Sequence, residues 1–156
     1  MTKEEVMLEL ASFGNEQTKK VFTRHGAREP FYGVKVGDLK TLVKKIKTDH
    51  KLALELFKTG NSDAMYLAGL IADENHVTRE ELQHWAKEAY WYMLSEYTVA
   101  WLAAESRHGC DLALEWIESD EEGIASTGWS TLSNLVSILP DEELDQYELI
   151  ALLDRV

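Results

Sequence analysis

The chain has little that would cross-link it or interrupt it. One cysteine, Cys110, stands among 156 residues, so no disulfide framework can form within the chain, and a reduced, cytoplasmic setting is expected. Only two prolines, Pro30 and Pro140, are present, which leaves long stretches free of the residue that most strongly breaks a helix. There is no run of about 18 uncharged apolar residues, so no membrane-spanning helix is expected. The opening Met1-Thr2-Lys3-Glu4-Glu5 lacks the apolar centre of a secretory signal. The five histidines show no His-x3-His spacing and there is no cysteine pair, which argues against a metal centre. Ser106 and His108 have no nucleophile-elbow context, which argues against hydrolase chemistry.

Positive charge is scarce and unevenly placed. Lys and Arg number 16 against 28 Asp and Glu, for a net charge of −12. Residues 1–51 hold 11 basic against 7 acidic residues, a balance of +4, whereas residues 52–156 hold 5 against 21, a balance of −16. No Lys or Arg lies between Arg107 and Arg155. One reading is an acidic, solvated surface that favours solubility. The other is that any polyanion must meet the N-terminal third, because phosphates are repelled elsewhere.

What is abundant is helix signal, with no competing period-two pattern. Thr2 with Glu5 is a capping box before Val6, Leu8 and Leu10, and Gly14 is a stop. Asn15 caps a second helix that ends near Gly26, and Pro30 keeps Glu29 out of helix. A third helix is expected over about residues 37–48. In it Leu39, Leu42, Val43 and Ile46 form one stripe at i, i+3, i+4 and i+7, while Lys40, Lys44 and Lys47 form another. Leu39, Leu42, Val43 and Ile46 should be buried and the three lysines exposed. Asp49 caps a fourth helix stopped by Gly60, and Ser62 caps a fifth from Met65 to Ala72. Thr78 with Glu81 is a second capping box, Ser95 is a candidate cap before Val99, Asp120 with Gly123 opens a helix through Ile138, and Pro140-Asp141 starts the last. The tetrapeptide Leu52-Ala53-Leu54-Glu55 recurs as Leu112-Ala113-Leu114-Glu115, an offset of 60 residues. A chain that repeats a helical unit buries its core by stacking. The expectation is one all-α domain over residues 1–156, an α-solenoid or irregular bundle.

Three stretches carry a resemblance. Tyr32-Gly33-Val34-Lys35-Val36-Gly37-Asp38-Leu39, then Leu52-Ala53-Leu54-Glu55-Leu56, then Asp63-Ala64-Met65-Tyr66-Leu67-Ala68 resemble the DNA alkylation-repair family, which includes the bacterial alkylpurine DNA glycosylases of the AlkD type. The likeness is specific at the Gly-Val-x-Val-x-Asp-Leu loop and continues through Trp85, Trp91 and Trp116. It implies HEAT-like helical repeats stacked as an α-α superhelix, with a concave groove that takes alkylated double-stranded DNA. It implies excision of positively charged alkylated purines without metal or cofactor. It also implies that a further C-terminal helix pair follows in the family after the place of Val156.

The chemistry implied needs a carboxylate near the sugar, a cation on the phosphate and aromatic faces for the base or sugar. The family's active stretch has a Trp and, four residues on, an Asp. Matching that Trp to Trp91 puts Ser95 in the Asp slot. Glu96 is the possible substitute, yet one residue along a helix turns by about 100°, so Glu96 is expected to point elsewhere. The family's Arg falls near Ala125-Ser126. Weak or absent glycosylase activity is therefore expected. Candidate DNA-binding residues are Tyr32, Lys35, Lys40, Lys44, Lys47, Trp91 and Tyr92. Each has a plainer alternative, since the lysines can be a solvated helix face and the rings of Tyr90-Trp91-Tyr92 can pack between repeats. Trp85, Trp101, Trp116 and Trp129 are expected in the core. The two function classes that stand are a DNA-repair protein binding DNA through its groove and a non-catalytic HEAT-like scaffold for a protein partner.

Overall fold

In the computed structural model, which describes residues 1–155, eleven α-helices follow one another without a strand among the described residues. α1 (Lys3–Phe13) starts at Thr2, whose hydroxyl accepts the Glu5 amide while the Glu5 carboxylate accepts the Thr2 amide. α2 (Glu16–Arg24) starts at Asn15 and α4 (His50–Phe57) at Asp49, each side chain accepting an amide of the first turn. α6 (Arg79–Glu88) carries the second capping box, Thr78 with Glu81. These starts agree with the sequence because a cap is a bond between residues about three apart. Three others differ. α5 (Ser62–Ile71) is capped by Asn61 rather than Ser62, whose buried hydroxyl has no partner. Ser95 caps nothing, because it opens a π turn, Ser95–Val99, between α7 (Tyr92–Leu94) and α8 (Ala100–Glu105). Pro140-Asp141 begins only a short 3₁₀ turn, and α11 (Gln146–Leu153) is capped later by Asp145.

The helices pack as neighbouring pairs. α4 lies on α5, and α9 (Gly109–Trp116) lies on α10 (Glu122–Ile138), so the two Leu-Ala-Leu-Glu copies occupy equivalent first helices. At Gly128 of α10 an added Cβ would meet the Ile117 amide nitrogen at 2.6 Å, so only glycine lets this pair close so tightly. One continuous apolar core runs from Val6 of α1 to Trp116 of α9, and a small satellite of Ala104, Ala113 and Leu135 holds α10. Phe57 and Trp85 stack face to face at 4.0 Å between α4 and α6.

α3 (Val36–Ile46) shows the two expected faces. Leu39 and Leu42 are buried, Val43 and Ile46 are half-buried against the core, and Lys40, Lys44 and Lys47 are exposed. The loop ahead of α3 is fastened by one carboxylate. Asp63 Oδ2 accepts the amides of Tyr32 at 2.6 Å and Gly33 at 3.0 Å, and Oδ1 accepts that of Val34 at 3.0 Å. Burial pushes the Asp63 carboxyl above its ordinary range, while the three amides and Lys19 pull it down. Gly33 sits at φ 78°, and a Cβ there would lie 2.7 Å from the Lys19 amide nitrogen. No other residue fits this turn without displacing backbone.

Candidate nucleic-acid interface

The basic candidates gather on one element. Lys35 is the residue before α3, and Lys40 and Lys44 follow on its outer face. Lys47 ends the helix at φ 62°, a conformation that side chains seldom adopt. All four are exposed, and none makes an ion pair among the described residues. Lys45 and Lys19 differ, since Lys45 is bonded to Glu9 at 2.8 Å and Lys19 to Glu29 at 2.6 Å. Tyr32 is half-buried in the loop beside Lys35, its carbonyl accepting the Asn15 amide.

The aromatic triple divides by role. The Tyr90 hydroxyl donates to the Arg28 carbonyl at 2.9 Å, and the Arg28 guanidinium lies 4.4 Å from the ring centroid. Trp91 is buried, and its indole N–H donates to the His25 carbonyl at 2.7 Å. Its ring packs on Phe22 and supports Tyr92, whose ring reaches solvent. Among the four other tryptophans, Trp85 and Trp116 are buried as expected. Trp101 is not. It stands 39% exposed on α8, whose buried residues are Ala100, Leu102, Ala103 and Ala104. Trp129 of α10 is half-buried and faces a pocket.

That pocket, of about 540 Å³, is lined by Glu96, Glu122, Ala125, Ser126, Trp129 and two further serines. Ser95 does not reach it. The Ser95 side chain is 3% exposed, with its hydroxyl turned to the Trp91 and Tyr92 carbonyls. Glu96 does reach it, pointing away from Ser95 as one step of helix rotation implies. The π turn widens the backbone here, with Thr98 Oγ1 donating to the Met93 carbonyl five residues back at 3.1 Å. Glu96 Oε1 accepts the Ser126 hydroxyl at 2.5 Å. The residue in the family's Asp slot, Ser95, thus stays out of the pocket, and its neighbour Glu96 is the acid that meets Ser126, near the place matched to the family's Arg. No Lys or Arg lines this pocket. Sequence reasoning missed Asp63, Tyr97 and Trp101 as parts that shape this face, and the unusual five-residue step from Tyr92 to Tyr97 was the signal available.

Paired helices stacked on a continuous core, with a basic face and an aromatic edge, define an α-solenoid of HEAT-like repeats. The chain belongs to the DNA alkylation repair family, whose model, described as DNA alkylation repair enzyme, matches residues 6–153. Two relatives are uncharacterized proteins of Listeria innocua, 33% identical, and Listeria monocytogenes, 32% identical, each over 149 residues. Each match covers 92% of this chain and 66% of the relative. A solved structure superposes on the whole chain with a TM-score of 0.96 at 41% identity, covering 66% of its own length. It is described as one of "a new family of proteins related to the HEAT-like repeat DNA glycosylases with affinity for branched DNA structures". The chain therefore spans just under two thirds of the length of these relatives. Among the described residues no helix is long and apolar enough to cross a membrane, and no group of three His, Cys, Asp or Glu side chains is placed to hold a metal ion.

Proposed function

We propose that this chain is a DNA-binding protein of the alkylation repair family whose ligand is branched DNA, and that it has weak or no alkylpurine excision activity. The observation that carries this reading is the match of the whole of this chain, at 41% identity, to 66% of a protein described as having affinity for branched DNA. The charge layout supports it. Lys40, Lys44 and Lys47 offer three unpaired cations along α3, with Lys35 a fourth at its start, Tyr32 lies in the loop ahead of them, and Tyr92 offers a ring held by Trp91. The lysines hold phosphates as point charges and set register without reading bases. The pocket of Glu96 and Ser126 supports the second half, because it offers a carboxylate without the cation that would hold a phosphate beside it.

The test is a fluorescence anisotropy titration of the chain with a four-way junction, a fork and a duplex of matched length at about 20 mM and 150 mM salt. The expected order is junction and fork above duplex, with all affinities falling as salt rises. Equal affinity for all three would defeat the branched-DNA reading. In the same samples, release of 7-methylguanine or 3-methyladenine from methylated duplex is expected to stay at the background rate. Robust release that Glu96→Gln abolishes would instead make Glu96 the working acid.

A further inference from the structure

Four aromatic rings run in file from the start of α7 through the π turn into α8. Trp91 is the buried root, and Tyr92, Tyr97 and Trp101 follow at centroid spacings of 5.7, 6.3 and 5.6 Å. Each ring meets the next edge to face, at 75°, 71° and 79°. The outer three are 41%, 40% and 39% exposed. Exposed rings this regular do not arise from an ordinary helix. Tyr92 and Tyr97 are five residues apart, which on an α-helix puts them about 140° away from each other. The π turn at Ser95–Val99 closes one extra residue, as the Ala100 amide donating to the Ser95 carbonyl five residues back records, and brings positions five apart onto one face. Trp101 then follows Tyr97 by four residues, an ordinary helical neighbour. The local irregularity in the backbone is what aligns the file.

We propose that Tyr92, Tyr97 and Trp101 form a platform for unpaired DNA bases at a branch point. This rests on the DNA-binding reading above and says which part of a branched DNA the protein recognises. Three observations select that ligand. Successive rings stand at 71° and 79° to each other with centroids 6.3 and 5.6 Å apart, whereas stacked bases in a strand are parallel at a rise of about 3.4 Å, so bases seated on successive rings must already be unstacked from one another. A base reaches out from its phosphate and is itself uncharged, so a ring can hold it beside Glu96 while the phosphate it is joined to stays further from that acid and from residues 108–154, which carry no Lys or Arg. At the root, the Trp91–His25 bond places the file against the end of α2, where Arg24 and Arg28 are exposed to take the backbone leading in. Edge-to-face packing holds each ring in place before the ligand arrives, so little side-chain freedom is lost on binding.

The experiment uses the full chain and forked DNA bearing 2-aminopurine in the unpaired arm, beside the same sequence fully paired. The unpaired probe is expected to change its fluorescence on binding and the paired probe to remain unchanged. Tyr97→Ala and Trp101→Ala should each weaken fork binding about tenfold, with Trp101→Phe retaining most of the affinity, and each should keep its helical circular dichroism because both rings are on the surface. If both alanine variants are folded and bind the fork as the unaltered chain does, the platform is wrong while the DNA-binding reading stands. If the unaltered chain binds neither fork nor duplex at about 20 mM salt, where the Debye length is near 20 Å, the DNA-binding reading itself fails and the platform with it.

Discussion

Ser95 and Glu96 are chain neighbours with opposite surroundings. Ser95 is buried with its hydroxyl against two backbone carbonyls, whereas Glu96 opens on the pocket and holds Ser126. A carboxylate placed at 95 would lose its hydration and face carbonyl oxygens rather than donors. Ser95→Asp is therefore expected to lower stability by roughly 2–3 kcal/mol and to bring no excision activity, even beside Ser126→Arg. Chemical denaturation and a base-release assay on methylated duplex check the two halves separately. A stable Ser95→Asp that excises would mean that the pocket is built around position 95 after all.

The loop before α3 illustrates how one side chain can hold an element in place. Asp63 accepts three consecutive amides, and it does so from the first turn of α5, where the helix dipole favours a negative charge. Asp63→Ala leaves three amides without their acceptor, and about 3–5 kcal/mol of stability should be lost. Asp63→Asn keeps one acceptor oxygen and should lose less. Because α3 carries the free lysines, the alanine variant should also show faster amide exchange at Tyr32 to Val34 than at the Leu39 or Leu42 amides. Unchanged exchange in that loop would mean that Gly33 and the Asn15–Tyr32 bond suffice to hold it.

Across the chain, a balance of +4 in residues 1–51 stands against −16 beyond. α3 belongs to the first, basic part, and the pocket of Glu96, Glu122 and Trp129 lies at the other, acidic part. Three or four phosphate contacts on α3 would give a salt slope near −3 in log affinity against log salt. The double variant Lys40→Glu with Lys44→Glu should weaken binding to fork and duplex alike and flatten that slope by about 2. An unchanged slope would make the lysine face ordinary solvated surface. Should no DNA bind at all, the groove of Trp129, Leu132, Val136, Leu149 and Leu152 becomes the surface on which to seek a protein partner.

The sequence by itself determined the helix starts at Thr2, Asn15, Asp49 and Thr78 and the buried stripe of Leu39 and Leu42. It also determined the pairing of equivalent helices implied by the repeated Leu-Ala-Leu-Glu. These depend on contacts three or four residues apart, or on a period that any helix must obey. Only the tertiary structure decided the rest. Asp63 finds its amides about 30 residues away, and Glu96 finds Ser126 at the same remove. The π turn inserts one residue into the helical count, and from that residue on every facing direction shifts, so Glu96 enters the pocket and Tyr97 aligns with Tyr92. Trp101 reads as core by its apolar neighbours, but which side of α8 is covered depends on where α5, α9 and α10 pack. No local pattern records where a distant helix comes to rest, and that placement sets which side chains meet solvent and which meet each other.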